Sequence, residues 1–116
     1  MSERNLLGPF EEMVLLAVAR GNGEAYGMSV RRDIQNRSGR DVTIGAVYST
    51  LDRLQAKALI GSESRAGDST REGQARRTFK LAPEGAEALL DARARHDRVW
   101  SEMDTDRLAS VAGGRE

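Results

Sequence analysis

Gly45, Ala46, Ser49, Thr50, Arg53 and Lys57 recur on one side of a predicted helix within DVTIGAVYSTLDRLQAKALI, residues 41–60. Ile44, Val47, Leu51, Leu54 and Ala58, at steps of three and four, fill the other side of the same spiral. An ordinary surface helix covers its outer face with long charged side chains. Here the first turn of that face carries small residues and the later turns carry cations. A helix of this shape can press its N-terminal turn into the major groove of duplex DNA, which is only about 12 Å wide. The chemistry on offer is hydrogen bonding and close contact. Thr43, Gly45, Ala46 and Ser49 allow close approach, Thr43 and Ser49 hydroxyls can reach base edges or phosphates, Ala46 can meet a thymine methyl, and Thr50 is counted on the same DNA-facing side. The alternative for Ser49 and Thr50 is a neutral surface position.

Little else in the sequence is reactive. His96 is the only histidine and sits in a later apolar stripe, where a lone imidazole reads as a satisfied core or interface group. Cysteine is absent, so neither a disulfide framework nor a thiolate metal site can form. No Gly-rich phosphate loop, metal-ligand spacing or nucleophile motif occurs. Glu11, Glu12 and the scattered aspartates show no convergence that would shift a pKa. The expectation is a protein that is not an enzyme and uses no cofactor or metal. No run of about 18 apolar residues is present, and MSERNLLGPF does not resemble a secretory signal. A cytoplasmic location with no membrane partner is the default.

The formal net charge of zero argues at first against a nucleic-acid partner, but the distribution matters more. Residues 31–80 hold eleven basic against six acidic side chains, while the flanking segments are acidic on balance. The surplus falls in the segment that carries the sparse helix. A solvated arginine-rich surface is the competing reading of charge alone.

The elements that must position these residues follow from spacing. Pro9 suits the first position of a helix running to about Arg20, apolar nearly all round, and Gly21-Asn22-Gly23 breaks it. A second helix, about Tyr26 to Ser38, aligns Tyr26, Val30 and Ile34, with Gly39 as a stop. Thr43 is a reasonable N-cap for the third helix. Leu59 to Ser64 and Ala75 to Leu81 read as two strands joined by a flexible cationic loop, a wing bearing Arg65, Arg71, Arg76 and Arg77. Pro83 opens a last helix to about Met103, with Leu89, Leu90, His96, Val99, Trp100 and Met103 as a stripe at near-heptad spacing. That helix has no obvious intramolecular home, so self-association through it is the economical reading. The fold class is mainly α with a small β-hairpin. A winged helix-turn-helix spans 1–82, a dimerisation helix 83–104, and a frayed tail 105–116.

With these residues placed, the chain resembles the PadR-type transcriptional regulators. AYGMSVRRDI, GAVYSTLDRLQAKALI and RRTFKLAPEG carry the likeness, in the expected order and at the expected distances. It covers about residues 10–100. It implies a dimeric repressor of a pseudo-palindromic operator, with a winged helix-turn-helix followed by a dimerising helix. Only one helix is expected after the wing, so the chain looks like a short member. The resemblance suggests a phosphate contact for the Tyr48 hydroxyl. Tyr26 and Gly27 match the family's YG pattern, and free N–H groups at that helix start suit another phosphate. Arg53 and the wing arginines would supply further contacts. Tyr48 and Tyr26 also read as packing residues. Trp100 reads as dimer core or as a wall of an effector pocket, since some relatives bind small aromatic compounds between subunits.

Three residues depart from the family pattern. Ala58 stands where glycine is usual, a cheap change if its φ is negative. Ala82 replaces a threonine cap, and Phe79 lies where a tyrosine is common. The rival to a DNA-binding regulator is a winged-helix module that binds only protein, against which the small-residue face and the cationic hairpin argue.

Overall fold

The computed structural model describes residues 6–65 and 76–113. The elements run α1 (Pro9–Arg20), α2 (Gly27–Ser38), α3 (Ile44–Ala56), β1 (Ile60–Arg65), β2 (Arg76–Leu81), α4 (Pro83–Trp100) and α5 (Thr105–Gly113). The strands pair antiparallel from Ile60 opposite Leu81 to Arg65 opposite Arg76. An isolated antiparallel bridge joins Ala25 to Phe79, whose N–H donates to the Ala25 carbonyl at 2.8 Å. The wing is thereby fastened to the start of the helix-turn-helix.

Local chemistry sets most boundaries. Thr43 caps α3, its hydroxyl accepting the Ala46 N–H at 3.1 Å. Gly39 ends α2 in the left-handed region at φ 75°, and its N–H reaches the Gln35 carbonyl. The α2–α3 turn is tied by Arg31, whose Nε donates to the Val42 carbonyl at 2.8 Å, and by Gln35, which donates to Asp41 at 2.8 Å. One core collects Val14, Leu15 and Val18 from α1, Val30 and Ile34 from α2, Val47, Leu51 and Leu54 from α3, and Leu59 and Phe79 around the wing. Each such fully buried side chain contributes about 1.5–3 kcal/mol before the entropy cost.

The C-terminal half departs from expectation. Residues 105–113 are not a frayed tail but form α5. Asp104 caps it, Oδ1 accepting the N–H groups of Asp106 at 3.0 Å and Arg107 at 3.2 Å. Among the described residues two helices therefore follow the wing, and the expectation of a single one is corrected. α4 stops at Trp100 because Ser101 turns extended and Glu102 enters the left-handed region at φ 66°, which breaks the helix. The first half of α4 buries Gly85, Ala88 and Ala92 and packs against α1, while its far end and α5 project. The radius of gyration of 17.2 Å exceeds the roughly 13 Å of a compact chain this long.

Ala58 is the other correction. It is exposed rather than part of the apolar stripe, and its φ is +65°, not negative. The turn from α3 into β1 therefore holds an L-residue where glycine fits without strain. Ala82 sits at the N-cap of α4 with no side-chain cap. Ala58→Gly should stabilise the protein by about 1 kcal/mol, the relieved left-handed strain less the added freedom of the unfolded chain. A shift of the urea midpoint at unchanged slope measures it.

Candidate nucleic-acid interface

The core decides how α3 is rotated. Val47, Leu51 and Leu54 are fully buried, so the opposite side faces out. Thr43, Gly45, Ala46 and Ser49 are all exposed, and a Cβ built on Gly45 would meet nothing within 4 Å. The open first turn expected from the sequence is present.

Thr50 is not part of it. It is 2% exposed, and its hydroxyl accepts from Arg53 Nη2 at 3.2 Å. At about 100° per residue it lies within about 40° of Leu54, on the shoulder of the apolar stripe rather than on the outer face. Thr50 therefore does not belong to the DNA-facing side.

Gly27 is buried at the first position of α2. A Cβ there would lie 2.3 Å from both Cζ and the hydroxyl oxygen of Tyr48. Glycine is needed because the Tyr48 ring lies on the backbone of α2, joining the two helices of the motif. The residue expected to receive a phosphate through its backbone is first of all the seat of that ring. Tyr48 remains 39% exposed, so the ring has one packed side and one open side. Tyr26 is half-buried, and its hydroxyl accepts from Arg32 at 3.1 Å.

The cations are more committed than their count suggested. Arg53 Nε lies 3.3 Å from Glu11 Oε2, and Lys57 Nζ lies 3.2 and 3.1 Å from the two Glu11 oxygens. Gly8 N–H also donates to Glu11 Oε1 at 3.1 Å. Burial pushes the Glu11 carboxyl up, but the Gly8 hydrogen bond, Lys57 and Arg53 outweigh it and hold it below its ordinary value. Glu11 thus converges with two cations from another helix, against expectation. The carboxylate and the cations lie more than forty positions apart in the chain, beyond the reach of local spacing. Asp33 behaves likewise: burial raises it, and ion pairs with Arg20 and Arg37 more than compensate.

On the wing, Arg77 is half-buried. Its Nη2 donates to Gln55 at 2.8 Å and lies 3.7 Å from Asp52, and its guanidinium sits 4.8 Å from the Phe79 ring centroid. Its first duty is to bind the wing to α3. Arg65 and Arg76 are placed as paired strand positions. Their side chains, and Arg71 entirely, lie outside the described residues.

Of the expected self-association residues, Leu90, Val99, Trp100 and Met103 are exposed. Leu89 packs partly buried on the chain's own core. His96 Nε2 lies 3.1 Å from Glu12 Oε1 of α1. Those two residues also contact the chain itself, and His96 stays exposed. Leu108 and Val111 of α5 join the exposed set. They were readable as an apolar pair three apart after the Asp104 cap. Val99, Trp100, Met103 and Leu108 line a hollow of about 320 Å³. Among the described residues no helix is long and apolar enough to cross a membrane, and no acid, histidine or cysteine cluster could hold a metal ion.

Three packed helices, a two-stranded wing after the third, and an open first turn on that third helix define a winged helix-turn-helix protein. The sequence profile of the Transcriptional regulator PadR-like family matches residues 15–91, and the chain belongs to that family. It is 36% identical over 82 residues to Transcriptional regulator Rv3488 of Mycobacterium tuberculosis, an overlap of 71% of this chain and 72% of that one. A crystal structure of a PadR family transcription regulator from Clostridium difficile superposes with TM-score 0.67 at 22% identity, covering 87% of this chain and 99% of the other. A PadR-like transcriptional regulator from Bacillus cereus gives 0.62 at 20%, covering 91% and 93%. These two likenesses speak to fold. Membership places the chain among transcriptional regulators rather than enzymes.

Gly27→Ala should destabilise by about 1–3 kcal/mol through overpacking against Tyr48. In a Tyr48→Ala background the same change should cost at least about 0.5 kcal/mol less. Equal costs in both backgrounds would place the clash elsewhere.

Proposed function

We propose that the chain is a dimeric, sequence-specific repressor that binds a pseudo-palindromic duplex site. Two copies of α3 enter successive major-groove faces about one helical turn apart. The observation that carries this reading is the open first turn of α3, where Thr43, Gly45, Ala46 and Ser49 are exposed. Ser49 and the Thr43 hydroxyl, which can donate while it caps, face base edges or phosphate, and Ala46 faces a thymine methyl. In this reading the open side of Tyr48 and the wing arginines would meet the phosphate backbone. Repression rather than activation follows the family resemblance.

Dimerisation is supported by the apolar surface spread over Leu90, Val99, Trp100, Met103, Leu108 and Val111, which a monomer would leave in water. The hollow beside Trp100 is the place for a small aromatic effector, bounded by the second protomer.

The reading is tested by selecting genomic fragments that the purified protein retains. The expected result is enrichment of an inverted repeat near a small number of promoters. Absence of enrichment, together with no retention on heparin at low salt, would favour a protein-binding module instead. Trp100→Ala should sediment as monomer and lose the enrichment. A variant that stays fully dimeric would move the interface off α4 and α5.

A further inference from the structure

Glu11 is 9% exposed and has no part in the duplex contacts set out above, yet it controls two cations on the helix that makes them. Arg53 follows Ser49 by one turn on the outer side of α3, and Lys57 follows Arg53 by another. Arg53 keeps 55% of its side chain in solvent and Lys57 31%. Left to themselves, both would be ordinary phosphate ligands. Phosphate attraction is the sequence-independent part of DNA binding, and it draws a regulator to every duplex alike.

We infer that Glu11 is a specificity-determining positioning residue. By holding Arg53 and Lys57 against α1, it withholds two cations from non-cognate phosphate and leaves discrimination to the uncharged first turn of α3. This inference rests on α3 being the groove helix. Taking both cations away would strand a buried carboxylate with, among the described residues, only the Gly8 N–H for a partner, which is costly. A passing phosphate therefore does not capture them. A cognate site, where the first turn is already seated, has other contacts to offset that cost. The chain's zero net charge fits the same economy of non-specific attraction.

Glu11→Gln separates this role from a structural one. A glutamine oxygen still accepts the Gly8 N–H, so α1 keeps its cap, while the charge holding Arg53 and Lys57 is gone. The full-length wild type, E11Q and the triple variant E11Q/R53Q/K57Q are titrated with a random-sequence duplex between about 50 and 200 mM salt. In E11Q the slope of log K against log salt should steepen by about 0.9 for each released cation, with non-cognate binding roughly tenfold tighter at low salt. The triple variant should return to the wild-type slope. An unchanged slope in folded E11Q overturns the inference, as does a steepened slope that survives in the triple variant. Labelling of lysine amines in the wild type, read by mass, gives a check that needs no variant. Lys57 should react more slowly than the exposed Lys80, and equal rates would mean Lys57 is not held. If the wild type binds no duplex at any salt, the groove reading of α3 falls and takes this inference with it. If the wild type binds and E11Q leaves the slope alone, only the inference falls.

Discussion

Burial of Val47, Leu51 and Leu54 to zero exposure fixes the rotation of α3, and the rest of the protein's surface chemistry depends on that angle. A helix turned by one residue would swing about 100°. If each residue took its predecessor's place, the turn would drag Tyr48 off Gly27, expose Thr50 and swing Gly45 toward the core. The Thr43 cap and the Arg31 and Gln35 links across the α2–α3 turn hold the helix end in place. Rotation and position are thus set by different forces, apolar burial for one and directional hydrogen bonds for the other.

The same division explains how charge is distributed. A region with a surplus of basic residues turned out to use many of them as fasteners. Arg31 holds a turn, Arg37 holds Asp33, Arg53 and Lys57 hold Glu11, and Arg77 joins the wing to α3. Arginine suits this work because its planar fork can serve several acceptors while its stem covers apolar atoms. Counting cations along a chain overstates the field it presents, since a paired guanidinium contributes little beyond its partner.

What could be read in the residues was what short-range physics dictates. The three helices of the motif, the Gly39 stop, the Thr43 cap and the strand pair followed from periodicity and turn chemistry, and the buried stripe of α3 came with them. Thr50 was misplaced because a helical face has no sharp edge, and a threonine on the shoulder packs as well as it solvates. Ala58 was counted in the apolar stripe because it continues the spacing, but the helix ends at Ala56, before it. The Glu11 cluster and the Tyr48 seat on Gly27 escaped because each joins residues from separate helices. α5 was missed for a different reason, since the Asp104 cap and the Leu108 and Val111 pair were present but short.

One consequence of the α4–α5 corner concerns light rather than binding. The chain has a single tryptophan, Trp100, and that indole stands 55% exposed beside the hollow instead of inside the core. Emission excited at the red edge therefore carries no core signal. Its wavelength reports the polarity of one corner, shifting to the blue when anything dry covers it, and the protein comes with its own optical gauge for that face.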